Sequence, residues 1–122
     1  MCKALIIGGS NGIGLAIANA LYNQGVQITV LDICPPDKSI ETKCNYKKCN
    51  LLNFDASIFD EYVNDEDLKY LVITAGFGRI ADFDNLHIAE IEKLMGLNAT
   101  AVIKILKLFY ERIKSDKRFI LR

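Results

Sequence analysis

The chain has 122 residues, enough for one domain with a single core and little margin for a second. Fifteen basic residues balance fifteen acidic ones, so no global field draws the protein to nucleic acid or to an anionic membrane surface. The opening MCKALIIGG puts a lysine before an apolar run, but Ala4 to Ile7 is too short for a secretory signal core and no membrane-length apolar segment follows. A soluble, cytoplasmic protein is expected, without nucleic-acid or membrane partners.

Ala4 to Ile7 reads as a first strand that runs into a loop with glycines at 8, 9, 12 and 14, and a helix begins near Gly12. A diphosphate needs converging backbone N–H groups with no side chains in the way, and a helix N-terminus offers those donors with a favourable dipole. Taken alone, the loop reads equally well as a tight structural turn. Ile13, Ile17, Ala20 and Leu21 then recur at helical spacing, and Gly25 stops the helix. Val26 to Asp32 is a β-branched run that reads as the second strand.

Strand, loop, helix and strand form a right-handed crossover, so the two strands are parallel neighbours and ligands belong at their C-terminal edge. Asp32 lies on that edge, 18 positions after Gly14. An acidic residue that binds a ribose diol is expected about 20 positions on. The alternative is an aspartate that caps a turn.

Pro35 and Pro36 make residues 33 to 44 an irregular connection, a candidate for part of an adenine pocket. Residues 45 to 49 read as a third strand, placed at an edge by its two lysines, with Asn50 and Leu51 at its end. Asp55 to Val63 suits a short helix, and Tyr70 to Thr74 a fourth strand ending in Ala75, Gly76, Phe77 and Gly78, where small residues leave room for a flat group. Glu90 to Met95 and Asn98 to Lys114 read as helical, the second apolar over more than half its circumference and so expected to be buried on more than one side. Arg118 to Arg122 reads as the opening of a fifth strand. The four cysteines, Cys2, Cys34, Cys44 and Cys49, form no Cys-x-x-Cys pair and are expected as reduced thiols, with no metal site. His87 is expected at the surface.

These residues, in this order, resemble the short-chain dehydrogenase/reductase family. Its nucleotide loop is Thr-Gly-x-x-x-Gly-x-Gly; Gly8, Gly12 and Gly14 match the three glycines, and Ile7 stands in place of the threonine. The resemblance implies a Rossmann-like, doubly wound parallel sheet of order 3-2-1-4 with the start of a fifth strand. It implies that Gly8, Ser10, Asn11, Gly12, Ile13 and Gly14 cradle the cofactor diphosphate. Asp32 falls where NAD-preferring members bind the adenosine ribose; its charge would repel the 2′-phosphate of NADP, and no arginine follows it. NAD is the expected cofactor.

Asn50 and Leu51 resemble the pair that holds adenine. Ile73-Thr74-Ala75-Gly76 occupies the place of Asn-Asn-Ala-Gly beside the cofactor, with both asparagines replaced. Asn98 matches the catalytic asparagine that kinks the long helix and anchors a proton-relay water.

In the family a catalytic serine follows the fifth strand, and Tyr-x-x-x-Lys comes later. Within these 122 residues only Tyr110 and Lys114 have that spacing, on a helix before the fifth strand and far from the expected nicotinamide. The expected reading is therefore the NAD-binding portion of an oxidoreductase, a fragment or a truncated product, catalytically incomplete and without turnover of its own. The substrate of the complete enzyme would be a small carbonyl or alcohol compound. A non-catalytic dinucleotide-binding or interaction module is the alternative. An unrelated doubly wound phosphate-binding signalling domain fits the glycine spacing and Asp32 less well. Homo-oligomers are expected through the helix carrying Ile103, Leu106 and Phe109, which the resemblance places at a subunit contact.

Overall fold

Continuous burial of Ala4 to Ile7, successive residues that point to opposite faces of a strand, demands a sheet covered on both sides, and the chain supplies one. The computed structural model describes residues 1–76 and 82–122; Phe77 and Gly78, included above in the exit from the fourth strand, lie outside the described residues. Strands β1 (Lys3–Ile7), β2 (Gln27–Asp32), β3 (Cys44–Lys48), β4 (Leu68–Ile73) and β5 (Ile120–Leu121) form one sheet in the order β3-β2-β1-β4-β5. Every pairing is parallel, with Ile7 beside Leu31 and Ile73 at the C-terminal edge. The expected order and the two-lysine edge strand are both found.

Strand parity divides the core in two. Ala4, Ile6, Ile28, Val30 and Val72 face helix α1 (Gly12–Asn23), where Ala18 and Leu21 meet them. Leu5, Ile7, Leu31 and Leu71 face the other layer. That layer consists of a 3₁₀ turn (Ala56–Phe59) leading into the short helix α2 (Asp60–Val63), and of helix α4 (Ala101–Ser115). Helix α3 (Ile88–Met95) joins α4 through a widened π-type turn, Gly96–Thr100, which contains Asn98. Such turns arise where an extra residue is accommodated in a helix, and they recur at functional sites.

Two expectations about α4 are corrected. Its buried residues are Ala101, Ile105 and Phe109, a single stripe at a spacing of four, so the helix is buried on one side only. Phe109 does not belong to an exposed contact face. It is fully enclosed, edge-on to Phe59 at 6.5 Å and stacked with Phe119 at 6.3 Å between ring centroids. Ile103, in contrast, is 65% exposed. The apolar excess of the helix reflects an open flank, since nothing in the described chain covers that side.

The far end of α4 is stapled to the start of β4. The Arg112 guanidinium donates to the carbonyl oxygens of Val63, Asp65 and Leu68 and lies over the Phe119 ring. This anchors the end of α4 at the N-terminal edge of the sheet. Tyr110 and Lys114, packed against each other at 5.4 Å, sit at that end, opposite the glycine loop. Among the described residues no helix is long and apolar enough to cross a membrane, and no cluster of metal-ligating side chains occurs. All four cysteines are free thiols.

Candidate functional site

At the C-terminal edge of the sheet, β1 ends and the chain turns at Gly8, whose φ of +90° is a left-handed conformation that favours glycine. A side chain there would also strike the backbone of Ala75, 2.5 Å from the Cβ position. Gly14, in the first turn of α1, is packed so closely that a Cβ would run into the Gly8 carbonyl oxygen and the Thr74 hydroxyl. The glycine spacing therefore marks where β1, α1 and the exit of β4 touch.

Helix α1 begins without a side-chain cap. Asn11 occupies the N-cap in extended conformation and makes no capping hydrogen bond, and no acidic residue lies in the first turn. Among the described residues no side chain accepts from the first N–H groups of the helix, at Gly12, Ile13 and Gly14, the arrangement that receives an anion.

Asp32 closes β2 beside this loop. Its carboxylate accepts from two backbone N–H groups: Ser10 donates to Oδ2 and Cys34 to Oδ1, each at 3.1 Å. Its main-chain carbonyl oxygen accepts from Cys49 N at 2.9 Å and from the Tyr46 hydroxyl at 3.1 Å. Both the backbone and the side chain of Asp32 are thus held from several directions. Burial, with the Asp32 charge as a lesser cause, raises the pKa of the Tyr46 hydroxyl and of the Cys49 thiol, so neither competes as an anion.

A cleft of about 340 Å³ opens between these parts. Of the residues singled out by sequence, Gly8, Asn11, Asp32, Asn50, Leu51, Ala75 and Gly76 line it. Gly12, Ile13 and Gly14 form the helix start at the neck of the loop and are not in the lining; Ile13 is exposed and Gly14 buried. Ser10 is buried as well, its hydroxyl donating to the Cys34 carbonyl oxygen at 2.7 Å instead of facing the cleft. Asn98 stands against Gly76, where an added Cβ would lie 2.7 Å from its Oδ1. Asn50 Oδ1 accepts from Leu52 N at 3.1 Å, which occupies one of its two lone pairs.

Thr74, in the segment expected beside the cofactor, also lines the cleft, whereas sequence reading missed Cys49, Leu52, Lys93 and Leu97 as walls. Ile33 and Cys34 lie in the proline-rich connection, which does reach the cleft. Lys93 and Leu97 arrive from α3 and the π-type turn, and no motif announces them. His87 is exposed, at the N-cap of α3.

Residues 3–118 match the family described as short chain dehydrogenase, and the chain belongs to that family. Solved structures carry the same fold. The ligand-free aldohexose dehydrogenase of Thermoplasma acidophilum matches with a TM-score of 0.73 and 23% identity, over 90% of this chain and 43% of that one. A carbonyl reductase from Pseudomonas aeruginosa matches with a TM-score of 0.77 and 22% identity, over 92% of this chain and 56% of that one. A short-chain dehydrogenase from Sphingobium yanoikuyae, in complex with NADPH, matches with a TM-score of 0.77 and 20% identity, over 93% of this chain and 49% of that one. The chain thus spans about half the length of these structures. No curated protein matches it.

Proposed function

We propose that these 122 residues are the NAD-binding portion of a short-chain oxidoreductase that moves hydride between nicotinamide and a small carbonyl or alcohol substrate. The observation that carries this reading is the placement of an oriented Asp32 carboxylate and an uncapped, glycine-flanked helix start at one cleft. The residues fit a dinucleotide. Gly8 and the first turn of α1 would receive the diphosphate, Asp32 the adenosine ribose, and Asn50 with Leu51 the adenine edge. Leu31, Ile33 and Leu97 supply apolar walls for a flat base. Asn98, beside Gly76, belongs to the nicotinamide end.

When bound, the nicotinamide supplies or accepts the hydride. Reduction of a carbonyl also needs a proton donor at the oxygen. Tyr110 and Lys114 are at the wrong edge of the sheet for that, so the 122-residue chain is assigned binding without turnover. Asp32 favours NAD over NADP, because a carboxylate beside a 2′-phosphate is a like-charge contact. The NADPH in the Sphingobium structure is a property of that protein, and for this chain the Asp32 carboxylate is what supports NAD. Calorimetric titration with NADH and NADPH is the test. Heat of binding that favours NADH supports the reading, and absence of binding of either at millimolar concentration removes it.

The second reading is a dinucleotide-binding module with no catalytic role, favoured by the position of Tyr110 and Lys114. It separates from the first when the chain is extended by the codons that follow Arg122. A serine and a Tyr-x-x-x-Lys pair there, with carbonyl reduction by the longer protein, excludes the non-catalytic module.

A further inference from the structure

Ser10 is the one polar residue among the buried residues described, only 2% exposed, although its neighbours Asn11 and Gly12 are open to solvent. Burying a hydroxyl is unfavourable unless it is hydrogen-bonded, and all the partners of Ser10 lie in one segment. Its Oγ donates to the Cys34 carbonyl oxygen at 2.7 Å, its N–H to Asp32 Oδ2 at 3.1 Å, and its carbonyl oxygen accepts from Asp37 N at 3.1 Å. Cys34 N in turn donates to Asp32 Oδ1. The glycine loop and the strap of residues 33–37 are therefore one hydrogen-bonded unit with the Asp32 carboxylate set between them.

The number of acceptor sites gives this arrangement a use. An ionised carboxylate has about four lone-pair sites, two on each oxygen. Ser10 N and Cys34 N take one on each, which leaves one on each. A ribose cis-diol presents two O–H donors and matches that remainder. A 2′-phosphate replaces one donor with an anionic group that has only acceptors to offer.

We propose that Ser10 is a positioning residue for cofactor selection: its hydroxyl ties the Cys34 strap to the glycine loop, so that Cys34 N on Oδ1 and Ser10 N on Oδ2 together hold the Asp32 carboxylate in register with a ribose diol. This rests on the dinucleotide reading above. Discrimination between a 2′-hydroxyl and a 2′-phosphate then depends on a side chain that touches neither. Were charge alone responsible, loosening the strap would leave the preference intact.

The test is calorimetric titration of the 122-residue chain and of its Ser10→Ala variant with NADH and with NADPH. The expected result is NADH binding about tenfold weaker, the loss expected for a charge-assisted hydrogen bond put out of line, with NADPH binding little changed. The preference for NADH then falls by about the same factor. In an Asp32→Ala background the Ser10→Ala change should no longer alter the ratio, because the two residues act through one network. Equal weakening of both cofactors, or the same effect in both backgrounds, overturns the positioning role and leaves the dinucleotide reading standing. Failure of the unaltered chain to bind either cofactor overturns both. Should Ser10→Ala not fold, Ser10→Cys, nearly the same shape with a feebler donor, is measured in its place and read by the same outcomes.

Discussion

The hydroxyl of Thr74 donates to the carbonyl oxygen of Gly8 at 3.1 Å, tying the exit of β4 to the loop that leaves β1. The same hydroxyl lies 3.2 Å from the Ile7 carbonyl oxygen, which also accepts from Thr74 N and Ala75 N. Where the family motif has a threonine at the position of Ile7 and an asparagine at that of Thr74, this chain keeps one hydroxyl and puts it on the opposite strand. Thr74→Val removes it with little change of shape. The variant should lose about 1 kcal/mol of stability, the usual net worth of one hydrogen bond. Urea unfolding measures it, and an unchanged midpoint would show that the hydroxyl is dispensable.

Two glycines in the loop should respond differently to alanine. Gly14→Ala places a methyl group against the Gly8 carbonyl oxygen and the Thr74 hydroxyl, so α1 must move away from β1. A cost of about 1–3 kcal/mol and loss of dinucleotide binding are expected. Gly12 has a φ of +58° but open space around its Cβ position. Gly12→Ala meets only the backbone penalty, about 1–2 kcal/mol. It should retain the fold and some binding. Thermal melts with titrations of both variants decide this, and equal binding by the two would show that close packing at Gly14 does not shape the site.

Asp32→Ala should weaken NADH binding by about 10- to 100-fold, the equivalent of roughly 1.5–3 kcal/mol for hydrogen bonds to a charged group. NADPH should lose far less, since removing the carboxylate also removes a repulsion. A ratio of affinities identical to that of the unaltered chain would refute the ribose assignment. Loss of the carboxylate also leaves Ser10 N and Cys34 N without their acceptor, so the variant should melt lower.

Phe109 and Ile103 lie six residues apart on α4 with opposite consequences. Phe109→Ala opens a hole between Phe59 and Phe119 and should cost about 3–5 kcal/mol. Ile103→Glu touches no core and should leave stability within about 0.5 kcal/mol. If the exposed flank of α4 carries a subunit contact, Ile103→Glu lowers the sedimentation coefficient of an otherwise self-associating protein. An identical coefficient places any contact elsewhere.

The contrast shows what the sequence could reveal. The strands and the glycine-to-Asp32 spacing were legible because each depends on local pattern: a short apolar run, a turn that only glycine tolerates, a carboxylate at a strand end; the full strand order came only with the family resemblance. The burial of Phe109 was not, because apolar residues on α4 outnumber what one sheet face can cover, and periodicity does not say which of them the neighbouring layer reaches. Ser10 was legible as a loop residue, but its role was not: its partner Cys34 lies 24 positions away across a chain reversal. Lys93 and Leu97 reach the cleft only because the helical segment from α3 to α4 crosses the sheet edge there, a tertiary fact with no local signature.

Stability should depend on pH through ion pairs at the edge of the sheet opposite the cleft. Lys3 Nζ donates to Asp65 Oδ2 at 2.8 Å, and that bond is the largest cause both of the lowered Asp65 pKa and of the raised Lys3 pKa. Lys69 and Asp116 form a similar pair at 2.9 Å, and the bond from Lys69 is the first cause of the lowered Asp116 pKa. A carboxylate with a depressed folded pKa stabilises the protein above its ordinary value, about 3.9, and that contribution is lost as the pH falls through the depressed value. The raised Lys3 pKa acts in the other direction: its contribution is complete below the ordinary lysine value, about 10.4, and is lost as the pH rises through the folded one. The urea midpoint should therefore be flat through neutrality and fall at both extremes. Asp65→Asn should shrink the acid limb while Asp116, and Glu61 paired with Lys47, sustain what remains of it. It should also shrink the alkaline limb, because Lys3 loses the partner that raised it. An acid limb unchanged in Asp65→Asn would mean that the Lys3–Asp65 pair contributes nothing to the fold.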